Sequence, residues 1–406
     1  MTQPLIITLL PAEDGDCLLL SLGTEAHILI DAGRSSTYTG YLRPLLLTQA
    51  TNRQPLNCCI ITHIDADHIT GAVNGLFAEN GDANSPRLIP IQQVWHNSYR
   101  HLFSTLESMV DTLSVADQTV LQQIIARGKI TLASGPALEA HPISARQGTM
   151  LGTLLLRHGY AWNTDAGQEA IKVPLVAEVA PGIVLKVLSP SLTGLQNLER
   201  RWRRTLRAMG FSSQLHSGAP FDDAYEWWLL TEKSDLSALP RLIGAPSSLT
   251  AHLNTQFRED TSSANGSSIA LVLEADGRRV LLLGDSHPSV VMHELECHYA
   301  NEPRPWWFDC IKLSHHGSFA NNSPDLLQAT DSDCYLFSTN GRHGHPDAAT
   351  IAWVVTRPIS RTGQIRRLGC NYETPTMRQF ARADWQTQYH YQIEVAPTGQ
   401  PLIVSL

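Results

Sequence analysis

Short runs of apolar residues separated by polar turns open the chain, then give way to longer stretches with helical spacing, and this change of period recurs along its length. Residues 5–10, 17–22 and 27–31 read as β-strands. Residues 42–48 follow as a helix, 56–62 as the next strand and 69–78 as the helix behind it. This βαβα rhythm predicts an α/β layered architecture. Residues 88–95 then read as a strand, 102–126 and 147–157 as helices, and 184–188 as a strand stopped by Ser189-Pro190. A helix is expected over 195–209, while 210–265 is weakly patterned and holds Trp227-Trp228. We expect residues 195–265 to form a partly helical insertion, and a candidate lid, within a single domain spanning 1–406. Regular patterning returns at Ser267, where 268–274 and 279–283 pair as a hairpin around Ala275-Asp276-Gly277. A helix over 290–299, a strand over 310–313, a helix over 324–329 and a strand over 334–338 complete the reading. No repeat of 20 to 50 residues and no low-complexity tract interrupts it.

Composition narrows the classes. Lys plus Arg number 30 against 38 Asp plus Glu, a net charge of −8, so the chain has no global basic field for capturing nucleic acid. One dense basic cluster, Arg200, Arg201, Arg203, Arg204 and Arg207 around Trp202, is compatible with phosphate contacts but fits better the exposed face of an amphipathic helix. The seven cysteines show no CxxC spacing, which argues against a zinc knuckle or a disulfide framework. Glu13, Asp14 and Asp16 interrupt the first twenty residues, no basic segment precedes them, and no apolar run reaches the length of a membrane span. The expectation is a reduced, soluble, cytoplasmic protein with no membrane partner.

The densest chemistry lies directly behind Cys59-Ile60-Ile61, where His63, Asp65, Asp67 and His68 fall within six residues. An acidic helix start with a capping Asp explains one or two of them, but not two histidines and two aspartates interleaved after a buried-looking strand. Imidazole nitrogen with carboxylate oxygen suits zinc, manganese or a pair of such ions. Other predicted strand ends carry polar groups as well: Asp31 after Ile28-Leu29-Ile30, Asp285 after Leu281-Leu282-Leu283, and the loops holding His315-His316 and His343-Gly344-His345. Strand ends gathered on one rim are where α/β folds build sites.

In this order, these elements resemble the metallo-β-lactamase fold, in particular the metallohydrolase domain of the competence protein ComEC and its stand-alone relatives. Ala12-Glu13-Asp14-Gly15-Asp16-Cys17 is similar to that branch's GxGD element, and the stretch from Ile28 to Gly33 to its strand-end Asp element. His63 to His68 resembles the HxHxDH signature in an HxDxDH form, with Asp65 where many members have His. Asn265-Gly266-Ser267-Ser268 with Leu283-Gly284-Asp285, the KxxHHGS-like run from Lys312 to Ser318, and the Asn…GHP-like run from Asn340 to Pro346 complete it. The resemblance covers about residues 30–75 and 260–350.

It implies a four-layer αβ/βα sandwich with two divalent metal ions at the rim between two sheets, Mn²⁺ or Zn²⁺ with Mg²⁺ as a further option. His63 and Asp65 would hold the first ion, Asp67 and His68 the second, and Asp285 would bridge them. His315 is expected to complete the second ion, with His316 or His345 contacting substrate phosphate or donating a proton. Asp67 is also a candidate base, and Lys312, Ser318 and Asn340 are expected to face substrate oxygens. The family's middle-region histidine has no clear match among His96, His141 and His158. The implied activity is metal-dependent hydrolysis, foremost a phosphodiesterase or nuclease acting on DNA. The same donor types serve small-ester, lactone and β-lactam hydrolysis in other branches. Stand-alone relatives in bacterial antiviral defence operons imply a third role, an effector subunit controlled by a protein partner from the same operon.

Overall fold

In a strand, successive side chains point to opposite faces, so a strand that is apolar throughout must be covered on both. The central strands of this chain are of that kind, and their two faces go to different cores. Ala26, Ile28 and Ile30 enter one buried cluster and Leu29 another, while Val280 and Leu282 join the first of these and Leu281 enters a third. A cluster shared by two sheets lies between them, and the other two clusters cover their outer faces with helices. This is the expected α/β, four-layer αβ/βα sandwich. The structure, a computed structural model, describes residues 3–102, 113–133, 149–215, 218–231 and 249–406.

The strands in chain order are β1 (Leu5–Leu9), β2 (Leu18–Leu22), β3 (Ala26–Ile30), β4 (Cys58–Ile60), β5 (Val94–Trp95), β6 (Val176–Ala180), β7 (Ile183–Ser189) and β8 (Ala270–Ala275). They continue with β9 (Arg278–Leu282), β10 (Trp306–Trp307), β11 (Cys310–Lys312), β12 (Thr330–Asp331), β13 (Cys334–Phe337), β14 (Arg366–Cys370), β15 (Tyr391–Val395) and β16 (Leu402–Ser405). The first sheet runs β16-β1-β2-β3-β4-β5 and the second β15-β14-β13-β11-β9-β8-β7-β6, with β10 and β12 forming a short pair. β3, β4 and β5 are parallel, as are β9, β11, β13, β14 and β15. β8 and β9 form the predicted hairpin, with positive φ at Asp276 (51°) and Gly277 (78°), the conformation that a two-residue turn matched to strand twist demands.

The C-terminal ends of β3, β4, β9, β11 and β13 meet at one rim. Ile269 N donates to Thr62 O at 2.9 Å, Ser338 Oγ to Gly15 O at 2.6 Å and Asn371 Nδ2 to Leu10 O at 3.1 Å, tying the two sheets together there.

Several predicted elements change extent. The strand expected over 88–95 is Val94–Trp95, with an isolated bridge from Ile91 to Leu56, while Asn80 takes up the backbone of Leu88 and Ile89 with its amide. The helix expected over 102–126 is described as Val115–Ala133, and that over 147–157 as Leu151–Arg157. Strand β6 and everything after residue 346, including β14 to β16, had no counterpart in the pattern reading. Within the expected insertion, helices Leu192–Ala208 and Ala219–Thr231 are described, and residues 232–248 lie outside the described ones. Trp202, Phe221, Tyr225, Trp227 and Trp228 pack into the core that covers the outer face of the first sheet, so the paired tryptophans belong to a structural layer and not to a free-standing lid. Arg200, Arg201, Arg204 and Arg207 are exposed on the helix whose buried stripe is Leu195, Leu198, Trp202 and Leu206, as the amphipathic reading required.

Candidate metal centre

The loop after β4 is set by Asp31, which sits just past β3 in a left-handed conformation (φ 56°). Its carboxylate accepts from Thr62 N at 2.7 Å and Thr62 Oγ1 at 2.8 Å, and pairs with His68 Nδ1 at 2.8 Å. Asp65 occupies the N-cap of helix Ala66–Gly71, yet its side chain makes no capping bond. The capping reading of Asp65 therefore fails at the side chain, and its carboxylate is left for another partner. Two glycines allow the close approach of backbones here. A Cβ on Gly71 would lie 2.1 Å from Ala32 O, and one on Gly15 would lie 1.8 Å from Asp67 O.

Four histidines converge with one ring nitrogen engaged and the other presented to a common centre. His63 Nδ1 meets Thr62 Oγ1 at 3.0 Å, His68 Nδ1 meets Asp31, His315 Nδ1 meets Asn321 Oδ1 at 2.8 Å and His316 Nδ1 donates to Ser338 O at 2.8 Å. Such partners fix the tautomer of a metal-binding imidazole and orient it. The presented atoms gather around Asp285. Its Oδ2 lies 3.6 Å from His63 Nε2 and 3.7 Å from His315 Nε2, and its Oδ1 lies 3.6 Å from His68 Nε2. Asp65 Oδ2 adds a contact of 3.7 Å to His63 Nε2, while Asp67 Oδ2 lies 3.8 Å from His68 Nε2 and 3.2 Å from His316 Nε2.

Buried polar atoms are ordinarily hydrogen-bonded. Here Nε2 of His63, His68 and His316, with Oδ1 of Asp285 and of Asp16, are buried and hydrogen-bond to nothing. With metal–ligand bonds of about 2 Å, donors at these separations can share one ion. The residues therefore fit a cation centre: His63, His68 and Asp285, then Asp285, His315 and His316, and also Asp16, His68 and His316, each bring donor atoms within reach of one ion, with Asp65 beside His63 and Asp67 beside His68 and His316.

Carboxylates and imidazoles in the centre stabilise each other's charged forms. Burial pushes the Asp285 carboxyl up, but His315, His68, His316 and His63 around it bring it down to about 2. Asp67 is likewise held well below the usual carboxylate range, against burial, by His68 and His316. Burial pushes the His316 imidazole down, and Asp285, Asp16 and Asp67 outweigh it and raise it to about 10. A site that holds a proton this firmly between carboxylates offers the same attraction to a cation.

The structure redistributes the remaining expected residues. His316, not His315, lies against Asp67, and His315 lies against Asp285 Oδ2; both adopt left-handed backbone (φ 45° and 56°). The rings of His345 and His315 are 5.3 Å apart, at the edge of the centre. Lys312 does not face the rim: it is 1% exposed, with Nζ 2.7 Å from Asp16 Oδ2 and 3.0 Å from Leu313 O. Ser318 is buried, and its carbonyl accepts from Asn322 Nδ2. Asn340 Oδ1 accepts from Arg342 N within its own loop. His96 is fully buried, with Nε2 3.2 Å from Glu226 Oε1, apart from the donors named above. His158 ends helix Leu151–Arg157, and His141 lies outside the described residues. Asp16 was not among the expected ligands, yet it groups with His68 and His316 within reach of one ion, has an orphaned Oδ1 and pairs with Lys312.

Residues 10–133 match the family model of the metallo-beta-lactamase superfamily, whose members are generally metal-dependent hydrolases that bind divalent metals, typically zinc. The matched stretch contains Asp16, Asp31 and His63 to His68, while Asp285, His315 and His316 join them through the geometry alone. No curated protein matches the chain. Among the described residues, no helix is long and apolar enough to cross a membrane.

Proposed function

We propose, from the match of residues 10–133 to the metallo-beta-lactamase superfamily as premise, that this chain is a phosphodiesterase using two divalent cations, with nucleic acid, foremost DNA, as substrate. The observation that carries the reading is Asp285, whose two carboxylate oxygens each face a different histidine set. When bound, a pair of such cations lowers the pKa of water and offsets charge on both oxygens of an in-line displacement at phosphorus. Three carboxylates among seven donors, Asp65, Asp67 and Asp285, favour hard cations such as Mn²⁺ or Mg²⁺ more than an all-histidine set would, with Zn²⁺ also suited to the mixture.

The chain's own groups then have distinct tasks. Asp67, ionised and between His68 and His316, orients the attacking oxygen. His345 is kept neutral by burial, which pushes its pKa down, and beside His315 it can donate a hydrogen bond to a phosphoryl oxygen. Lys312 acts from behind: its ammonium neutralises Asp16, and Asp16 in turn faces His316. The exposed arginines on helix Leu192–Ala208 offer phosphate contacts to a longer substrate.

The test is a hydrolysis panel with purified protein and added Mn²⁺, Mg²⁺ or Zn²⁺, offering single- and double-stranded DNA, RNA, bis(p-nitrophenyl) phosphate and nitrocefin. Metal-dependent cleavage of the phosphodiesters, abolished in Asp67→Ala and His68→Ala, is expected. Hydrolysis of nitrocefin with no phosphodiester cleavage would overturn the proposal in favour of a lactam hydrolase.

A further inference from the structure

The opposite ends of two strands that lead to the centre carry a second reactive cluster. β11 and β13 are parallel with Ile311 opposite Tyr335, which sets Cys310 opposite Cys334 one rung earlier. Their sulfurs are 3.5 Å apart, and both side chains lie in the core between the sheets. Adjacent strands run about 4.8 Å apart, inside the Cα separation of about 4.4–6.8 Å that a disulfide accepts. On the far side of Cys334 the next rung is Arg367 of β14. A cleft of about 540 Å³ opens at this end, lined by Cys334, Arg361, Arg367 and Trp307 among others, so Cys334 lies at its wall while Cys310 is buried behind it.

The two thiols differ in character. The hydrogen bond with Cys310 and the charge of Arg367 hold the Cys334 thiol below its ordinary value against burial, whereas burial pushes Cys310 well up. A thiolate-prone sulfur beside a neutral one, next to the Arg367–Glu394 pair and at the wall of a cleft, is the arrangement that makes an attacking and a resolving cysteine.

We propose that Cys310 and Cys334 are an oxidation site, at which a hydroperoxide entering the cleft converts the dithiol into a disulfide between β11 and β13. The Cys334 thiolate attacks the terminal oxygen of the hydroperoxide, the O–O bond breaks, and the departing alkoxide takes up a proton as the alcohol. Cys334 is then a sulfenic acid. The Cys310 sulfur attacks the Cys334 sulfur, the S–S bond forms as the S–O bond breaks, and hydroxide leaves with the Cys310 proton as water. Two sulfurs have lost one electron each, and the hydroperoxide has gained both. The new bond would join the two strands that run into His315, His316 and Ser338, the carbonyl partner of His316.

Full-length protein treated with hydrogen peroxide or cumene hydroperoxide, then denatured and alkylated, tests this by mass spectrometry. The expected result is a protein lighter by two hydrogens, carrying one linked peptide that joins Cys310 to Cys334 and is released by dithiothreitol. In Cys310→Ser, Cys334 should instead be trapped by a sulfenic-acid reagent such as dimedone. The wild-type measurement needs no variant to fold. If both cysteines are alkylated after oxidation as fully as before it, or if oxygen is added only at the exposed Cys297, the proposal is overturned.

Discussion

Replacing Asp31 by Asn separates shape from hydrogen-bond direction in the centre. Asn tolerates the left-handed φ of 56° that Asp31 adopts, so the backbone stays in place. Its amide oxygen can keep the bond from Thr62 N at 2.7 Å, which puts an NH₂ group where Oδ2 lay, 2.8 Å from both Thr62 Oγ1 and His68 Nδ1. The threonine hydroxyl can rotate to accept. His68 Nδ1 can accept only by moving its proton to Nε2, the atom that faces Asp285 and Asp67. Loss of such a supporting partner costs about 10–100-fold in metal affinity, or about 1.4–2.8 kcal/mol. If the amide turns the other way, buried Thr62 N is orphaned, at about 1–3 kcal/mol of fold stability. Competition titration against a chromophoric chelator, paired with urea unfolding, reads both effects. Metal dissociation constants within twofold of wild type in a folded Asp31→Asn protein would refute the tautomer argument.

Other outcomes follow from the same geometry. Gly15→Ala puts a Cβ 1.8 Å from Asp67 O, so it should cost about 1–3 kcal/mol by overpacking and weaken metal binding as Asp67 shifts; unaltered affinity would count against that contact. His96→Asn should lower the urea midpoint, because Glu226 loses a buried partner, yet leave metal stoichiometry by elemental analysis unchanged. Burial, aided by Glu226 and Asp222, raises the Asp223 carboxyl from 3.8 to about 7, so the folded chain holds this proton more tightly than the unfolded chain does. The stabilisation from that group is complete at low pH and fades as pH rises from 3.8 to about 7, so Asp223→Asn should gain on wild type across that window, by more than about 1 kcal/mol. Parallel stability curves for the two proteins between those limits would exclude it.

What could be read from the sequence was whatever is local. His63, Asp65, Asp67 and His68 stand together behind an apolar strand, and Asp285 follows three leucines, so both strand ends were visible as chemistry. The division of labour between His315 and His316 was not, because it depends on two left-handed backbone angles and on a carbonyl, Ser338 O, contributed by the neighbouring strand. Lys312 looked rim-facing for a related reason. Its partner Asp16 lies 296 residues away, and nothing local distinguishes a buried ion pair from a solvated lysine. Strand β14 begins with Arg366-Arg367, a charged start that argues against a core strand until Asp331 is seen to bind the Arg366 guanidinium at 3.1 and 3.0 Å. Asn80 takes up the backbone of an expected strand in the same way, by side-chain bonds.

The split of the donors around Asp285 has a consequence for how the molecule comes into being. A growing chain that has emerged only as far as β5 carries His63, Asp65, Asp67 and His68 but lacks Asp285, His315 and His316. If the centre holds a cation as proposed, its donors are then incomplete, and the ion would be captured once the second sheet has docked. Bound metal would then be a late seal on assembly, its free energy adding to the finished fold. In a metal-poor cell, newly made chains would feel the shortage before mature ones, and the metal content of a preparation would count the molecules whose two halves have met.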